Sequence, residues 1–168
     1  IVFPNVETCC NAVTVLKNQP VSAVELLDRR SLRSVQDKPG MPAFVQQLSA
    51  NACALLIESR AASQTLLHEQ LAHIMASLVD FPVEKQVDFT EDPKENAKLW
   101  AIRKDTFPAV GAVRKTGTTV IIEDVTFPVE QLAIGVNRLI ELFDKHHYDE
   151  AILFGHALEG NLQDRKST

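Results

Sequence analysis

The 168-residue sequence predicts a single mixed helix-and-strand domain, and three observations carry that prediction. Apolar residues recur at three- and four-residue spacing in some windows and form short continuous or β-branched runs in others. The two kinds of segment alternate without a linker, a low-complexity tract or an internal repeat. At 45% hydrophobic and 23% charged residues, the composition supports a real core in a soluble globular chain. Alternation alone suggests a parallel doubly wound sheet. No glycine-rich phosphate loop follows the first strand, however, and the strands are few. An α+β arrangement, a ferredoxin-like antiparallel sheet covered by helices, fits as well.

Taken in order, Asn5 caps a helix running to about Lys17, with Val6, Cys9, Cys10, Val13 and Leu16 on one face. Asn18-Gln19-Pro20 ends it. "VSAVELLD" (21–28) reads as a buried strand and "RRSLRSV" (29–35) as a short helix. "QDKPGMP" (36–42) is a loop marked by Pro-Gly. "NACALLIES" (51–59) is a second buried strand, although its Ala and Leu leave a helix open. Leu66, Leu67, Leu71, Ile74, Met75, Leu78 and Val79 make a helical stripe from about Ala61 to Val79, ended by Pro82. "VEKQVDF" (83–89) has the alternation of a half-exposed strand. Thr90 or Asp92 caps the next helix, with Pro93 in its first turn and Glu95 close behind. Phe107-Pro108 should break that helix after about Thr106. "RKTG" (114–117) is a turn and "TTVIIEDVTF" (118–127) a β-branched strand. Pro128 starts a helix with Val129, Leu132, Val136, Ile140 and Phe143 on one face, ending near His147. "EAILFG" (150–155) is the last strand.

The formal net charge of −5, with its basic pairs scattered, argues against a nucleic-acid partner. Three cysteines, Cys9 and Cys10 adjacent and Cys53 apart, make no disulfide framework and no C-x-x-C pair. They read as small apolar core residues in a reducing compartment. No apolar run reaches the ~18 residues a membrane span needs. The first residues, "IVFPNVETCC", have neither an initiator Met nor a charged n-region, so they read as the middle of a longer protein rather than a signal peptide.

Three clusters carry chemistry. In "LWAIRKDTFPAVGAVRKTG", Arg103 lies among apolar neighbours, and Arg suits a carboxylate gripped by two parallel hydrogen bonds. From the pattern alone, an ordinary surface pair with Asp105 or Glu95 is the simpler reading. Arg114 and Lys115, before Gly117, make a second cationic point or a solvated turn. In "VIIEDVTFP", Glu123 and Asp124 interrupt a buried strand, so one of them faces solvent or a cation. In "GHALEGNLQ", His156 follows a strand and enters a turn at Glu159-Gly160-Asn161. A hairpin there brings position 156 close to 163, where a second histidine would complete a pair of metal ligands. Position 163 is Gln, so His156 is half a site. His146-His147 read as a helix C-terminus, where partial positive charge is favoured.

These clusters, together with "AVELLDRRSL" and "YDEAILFGHALEGNL", resemble the C-terminal, substrate-side domain of FAD-linked oxidases, the bacterial D-lactate and D-2-hydroxyacid dehydrogenases with a vanillyl-alcohol-oxidase-type flavin domain. The likeness covers nearly the whole sequence up to Leu162 and is greatest to the long form that carries flavin and iron–sulfur domains on one chain. The resemblance implies an α+β, ferredoxin-like cap, here residues 1–168 and incomplete at both ends, that sits over an FAD domain. It implies oxidation of a small D-2-hydroxyacid with hydride passing to FAD. Arg103, with Lys115, falls where the family holds the substrate carboxylate. His156 falls on the first histidine of the G-H-x-x-x-G-N-L-H motif, which ligates a divalent metal such as Zn or Mn in several members. Glu159, Gly160 and Asn161 form the turn near flavin and substrate.

The sequence departs from that pattern at Gln163 and in the polar run Asp164–Thr168. Neither a flavin-binding domain nor an iron–sulfur cysteine motif is present, so any such cluster belongs elsewhere in a parent chain. The expected location is the cytoplasm, or the inner-membrane surface in the parent enzyme. A sheet face normally covered by the flavin domain is also free to pair with a second copy. The competing reading is therefore a non-catalytic α+β module that binds a partner or forms a homo-oligomer.

Overall fold

The computed structural model describes residues 1–85, 89–112, 120–149 and 151–167, with backbone alone for 107–112, 120–123 and 164–167. Six strands, β1 (Val2–Phe3), β2 (Ala23–Leu27), β3 (Cys53–Glu58), β4 (Val120–Thr126), β5 (Ile152–His156) and β6 (Asn161–Ser167), form one sheet. Five helices accompany it: α1 (Val6–Leu16), α2 (Arg29–Val35), α3 (Gln64–Ser77), α4 (Pro93–Ala112) and α5 (Leu132–Lys145). Short 3-10 segments lie at Ala43–Gln47, Val129–Gln131 and Ala157–Glu159. The strand order is β1-β3-β2-β5-β6-β4, and every pairing is antiparallel. The α+β class therefore holds and the parallel alternative does not.

One face of the sheet packs on α1, α3 and α5, and α2 and α4 lie on the other. Asn5 accepts the Thr8 amide at 2.8 Å and starts α1, which buries Cys9, Cys10, Val13 and Leu16. These meet Val24, Leu26, Leu55, Leu153 and Leu162 from the strands, and Ile74, Leu132, Val136 and Phe143 from α3 and α5. Each fully buried aliphatic side chain contributes about 2 kcal/mol of transfer free energy, which makes this layer the main stabilising mass. The three cysteines are free and buried here, and burial pushes each thiol above its ordinary value. They are core residues, as their sequence context suggested.

Asp28 caps α2 by accepting the Ser31 amide at 2.7 Å, and the Ser31 hydroxyl donates to the Leu153 carbonyl at 3.1 Å. Arg30 donates to the carbonyls of Tyr148 and Ala151, both at 3.4 Å. These contacts lock the start of α2 to β5, although more than a hundred residues separate them in sequence.

Three segments depart from the sequence expectation. The helix from Pro93 does not stop at Phe107-Pro108 but runs on to Ala112. Proline removes one i→i−4 bond, here to the Lys104 carbonyl, and Lys104 is exposed, so water can satisfy that group. Residues 83–85 form no strand, only an isolated bridge from Lys85 to Val2, and the rest of that expected strand through 88 lies outside the described residues. The polar run after Asn161 is itself a strand, β6, paired on both sides by β5 and β4.

Candidate functional site

The pleat of β2 decides which side chains reach the second face. Val24 and Leu26 enter the helical core, so Glu25 and Leu27 point the opposite way. In β5, Leu153 joins the core, while Ile152, Phe154 and His156 share the second face. Register then aligns a row across the sheet. Glu25 pairs with Leu56 on one side and His156 on the other, His156 with Asn161, and Asn161 with Thr126. The next row on that face runs Leu27, Phe154, Gln163 and Asp124. A polar line thus crosses this face, with one buried acid in it.

That acid is the centre of the site. Glu25 is only 3% exposed, and its two carboxylate oxygens are divided between two partners. Arg103 Nε donates to Oε2 at 2.7 Å, and His156 Nδ1 lies 2.5 Å from Oε1. A carboxylate only accepts, so Nδ1 carries a proton, and in the neutral imidazole Nε2 is the acceptor nitrogen. The Arg103 guanidinium also stacks over the Phe154 ring, 4.7 Å from its centroid. Clamped at Nε and supported from below, it keeps its terminal Nη edge free of hydrogen bonds to the described residues. That edge is the one that grips a carboxylate bidentately. The His156 side chain is 58% exposed, against 13% for Arg103, so the imidazole stands at the open side of the arrangement.

The arrangement unites Arg103 and His156, which the sequence could only treat separately, through a residue it did not single out. Neither surface partner expected for Arg103 is used: Asp105 pairs with Lys38, and Glu95 with Lys98. The signal for Glu25 was an acid inside the apolar run "AVELL", the same anomaly that drew attention to Glu123. Asn161 lies beside His156 in register and donates through Nδ2 to the Thr126 hydroxyl at 3.3 Å. Glu159 is exposed in the 3-10 turn and takes no part in the Glu25 pairings. Gly160 is buried with φ +64, and a Cβ there would overlap the Phe127 carbonyl. Its requirement is steric. Gly155 faces a similar limit from the Asn161 backbone. Lys115, with Arg114 and Gly117, lies outside the described residues, as does the side chain of Glu123. His146 is the C-cap residue of α5 and His147 follows it at φ 58, matching their reading as a helix end.

A metal would need more than this face supplies. No three His, Cys, Asp or Glu side chains converge among the described residues. His156 offers one nitrogen, Glu25 is committed to Arg103 and His156, and Gln163, diagonal to His156 on the same face, contributes only a neutral amide. The residues present do not fit a complete divalent-metal site.

An antiparallel sheet with helices on both faces, and an Arg–Glu–His cluster where α4 meets the second face, defines an α+β domain. Residues 1–163 match the family described as FAD linked oxidases, C-terminal domain, and the chain belongs to that family. Membership makes it part of a flavin-dependent oxidoreductase, with FAD as cofactor, an FAD-binding domain as partner and a small molecule as substrate. No curated protein gives a significant match. No helix among the described residues is long and apolar enough to cross a membrane.

Proposed function

We propose that this domain positions a D-2-hydroxyacid of the D-lactate type for oxidation by FAD. The observation that carries the reading is the oriented Arg103 guanidinium, with Nε given to Glu25, its plane on Phe154 and its Nη edge free of hydrogen bonds to the described residues. Two parallel N–H···O bonds from that edge hold the substrate carboxylate and fix C2 beside His156. When bound, FAD supplies the hydride acceptor for the C2 hydrogen. His156 Nε2, oriented through Nδ1 by Glu25, accepts the proton of the 2-hydroxyl as the carbonyl forms. Asn161, next in the same row, lies where a polar group can face the substrate oxygens. Lys115 is proposed as the second cationic contact. No step is routed through a metal, because the described side chains do not fit one.

The test is turnover of a panel of D-2-hydroxyacids by the complete flavoprotein with a dye acceptor. Arg103→Ala should lower kcat/KM by about a hundredfold or more, the loss of charge-assisted hydrogen bonds to the carboxylate. His156→Asn should lower kcat by about a hundredfold or more with KM nearly unchanged. Wild-type kcat/KM in Arg103→Ala would remove it from the site.

A further inference from the structure

A cavity of about 450 Å³ lies between α3, the first half of α4 and the second face of the sheet. Its walls are apolar, with Leu56, Leu71, Met75, Leu99, Trp100 and Ile102 among them. That volume is in the range of small-molecule sites. Two strand pairings run from its wall directly into the Arg103 site: Leu56, which lines the cavity, is the register partner of Glu25, and Leu27, which also lines it, is the partner of Phe154. On α4, Leu99 and Trp100 stand one turn before Arg103, on the same helical stripe. The cavity's polar lining includes Glu58, Glu91 and Glu95, all acidic. Those acids are paired with Arg60, His68 and Lys98, and no Lys, Arg or His side chain lines the cavity, so an anionic head finds a cationic partner at Arg103 rather than in the cavity. An amphiphilic acid therefore has one favourable orientation, with its carboxylate at Arg103 and its chain in the cavity.

We infer that the cavity takes the apolar C2 substituent of the substrate, so that the preferred substrates are medium-chain rather than short D-2-hydroxyacids. This rests on the carboxylate role proposed for Arg103. Each methylene buried adds a transfer free energy equivalent to about a fourfold gain in affinity.

Trp100 is the sole tryptophan of the chain and lines the cavity, so its fluorescence reports occupancy directly. The experiment titrates the complete flavoprotein, its FAD pre-reduced so that no turnover occurs and with Trp100→Phe as the control that isolates the Trp100 signal, with D-2-hydroxyacids from D-lactate to D-2-hydroxyoctanoate, and with 1-octanol and octylamine. The expected result is a Trp100 emission change whose Kd falls about fourfold per methylene until the cavity fills. In Arg103→Ala the hydroxyacid affinity falls at least tenfold while the 1-octanol response is kept, which also certifies the fold. Should that variant not fold, the Glu25→Leu/Arg103→Met double variant, which leaves no lone buried charge, replaces it. A Trp100 response that ignores chain length overturns the proposal. So does tighter binding of octylamine than of the hydroxyacid, or an unchanged hydroxyacid affinity without Arg103. Turnover of D-lactate by the complete flavoprotein separates the two levels. Turnover without a chain-length trend sinks the cavity assignment alone, whereas a trend with no oxidation of any hydroxyacid sinks the function reading.

Discussion

Glu25 and Arg103 form a buried ion pair whose energetics can be worked from their surroundings. The Glu25 side chain is 4% exposed and that of Arg103 13%, so solvent screens neither appreciably. Glu25→Leu strands the guanidinium with its Nε unpartnered, and breaking a buried pair from one side costs about 3 kcal/mol or more. Arg103→Met leaves Glu25 with one oxygen still bound by His156, so about 2 kcal/mol is expected. In the double variant two apolar side chains replace the pair, and the net cost should be no more than about 2 kcal/mol. The singles are therefore far from additive, with a coupling energy near 3 kcal/mol. The assay is urea unfolding followed by far-UV circular dichroism, since urea, unlike guanidinium, leaves ionic interactions unscreened. Single-variant losses that add to within about 0.5 kcal/mol would show that the two groups do not act as a pair and would refute the site geometry.

Two further predictions concern the frame around the site. Gly160→Ala places a Cβ against the Phe127 carbonyl at a left-handed backbone position. It should cost about 3 kcal/mol, and a melting temperature within two or three degrees of wild type would contradict that packing. Burial pushes the Asp28 carboxyl up to about 6 from an ordinary 3.8, so the folded chain holds this proton more tightly than the unfolded chain does. Below about pH 4 the group costs nothing. As pH rises through 6 its ionisation opposes folding by about 2–3 kcal/mol. Asp28→Asn keeps the cap and should remove that part of the stability loss between pH 4 and 7, whereas an unaltered pH slope would exclude Asp28 as its source.

Much of the frame was legible because it is local. Asn5, the stripe through Leu16, and the Leu132–Val136–Phe143 face specify α1 and α5 from cap chemistry and periodicity. The end of α4 was not, because a proline signal is weak where water can satisfy the carbonyl it strands. β6 was hidden by its polar composition. Its pairing with β5 is the local hairpin expected after His156, but its extension to Ser167 and its pairing with the distant β4 are reported by no local pattern. The site divides in the same way. Arg103 and His156 stood out by their residue types, yet their meeting depends on register between β2 and β5, and Glu25 was masked by the leucines and valine around it. Alternation inside an apolar run, applied to "AVELL", would have placed Glu25 opposite the core.

The strand order has a consequence for how the molecule is assembled. β5 and β6 are last in sequence but sit in the middle of the sheet, between β2 and β4. Until that hairpin inserts, β4 has no partner and the β1-β3-β2 ribbon ends in an open edge. Bringing His156 onto Glu25 closes a loop of 131 residues. Such a closure carries a large entropic barrier and makes folding slow. A chain still lacking its last strands thus has a three-stranded ribbon with an open edge and a lone β4, and it gains a continuous sheet and the Arg103–Glu25–His156 cluster together.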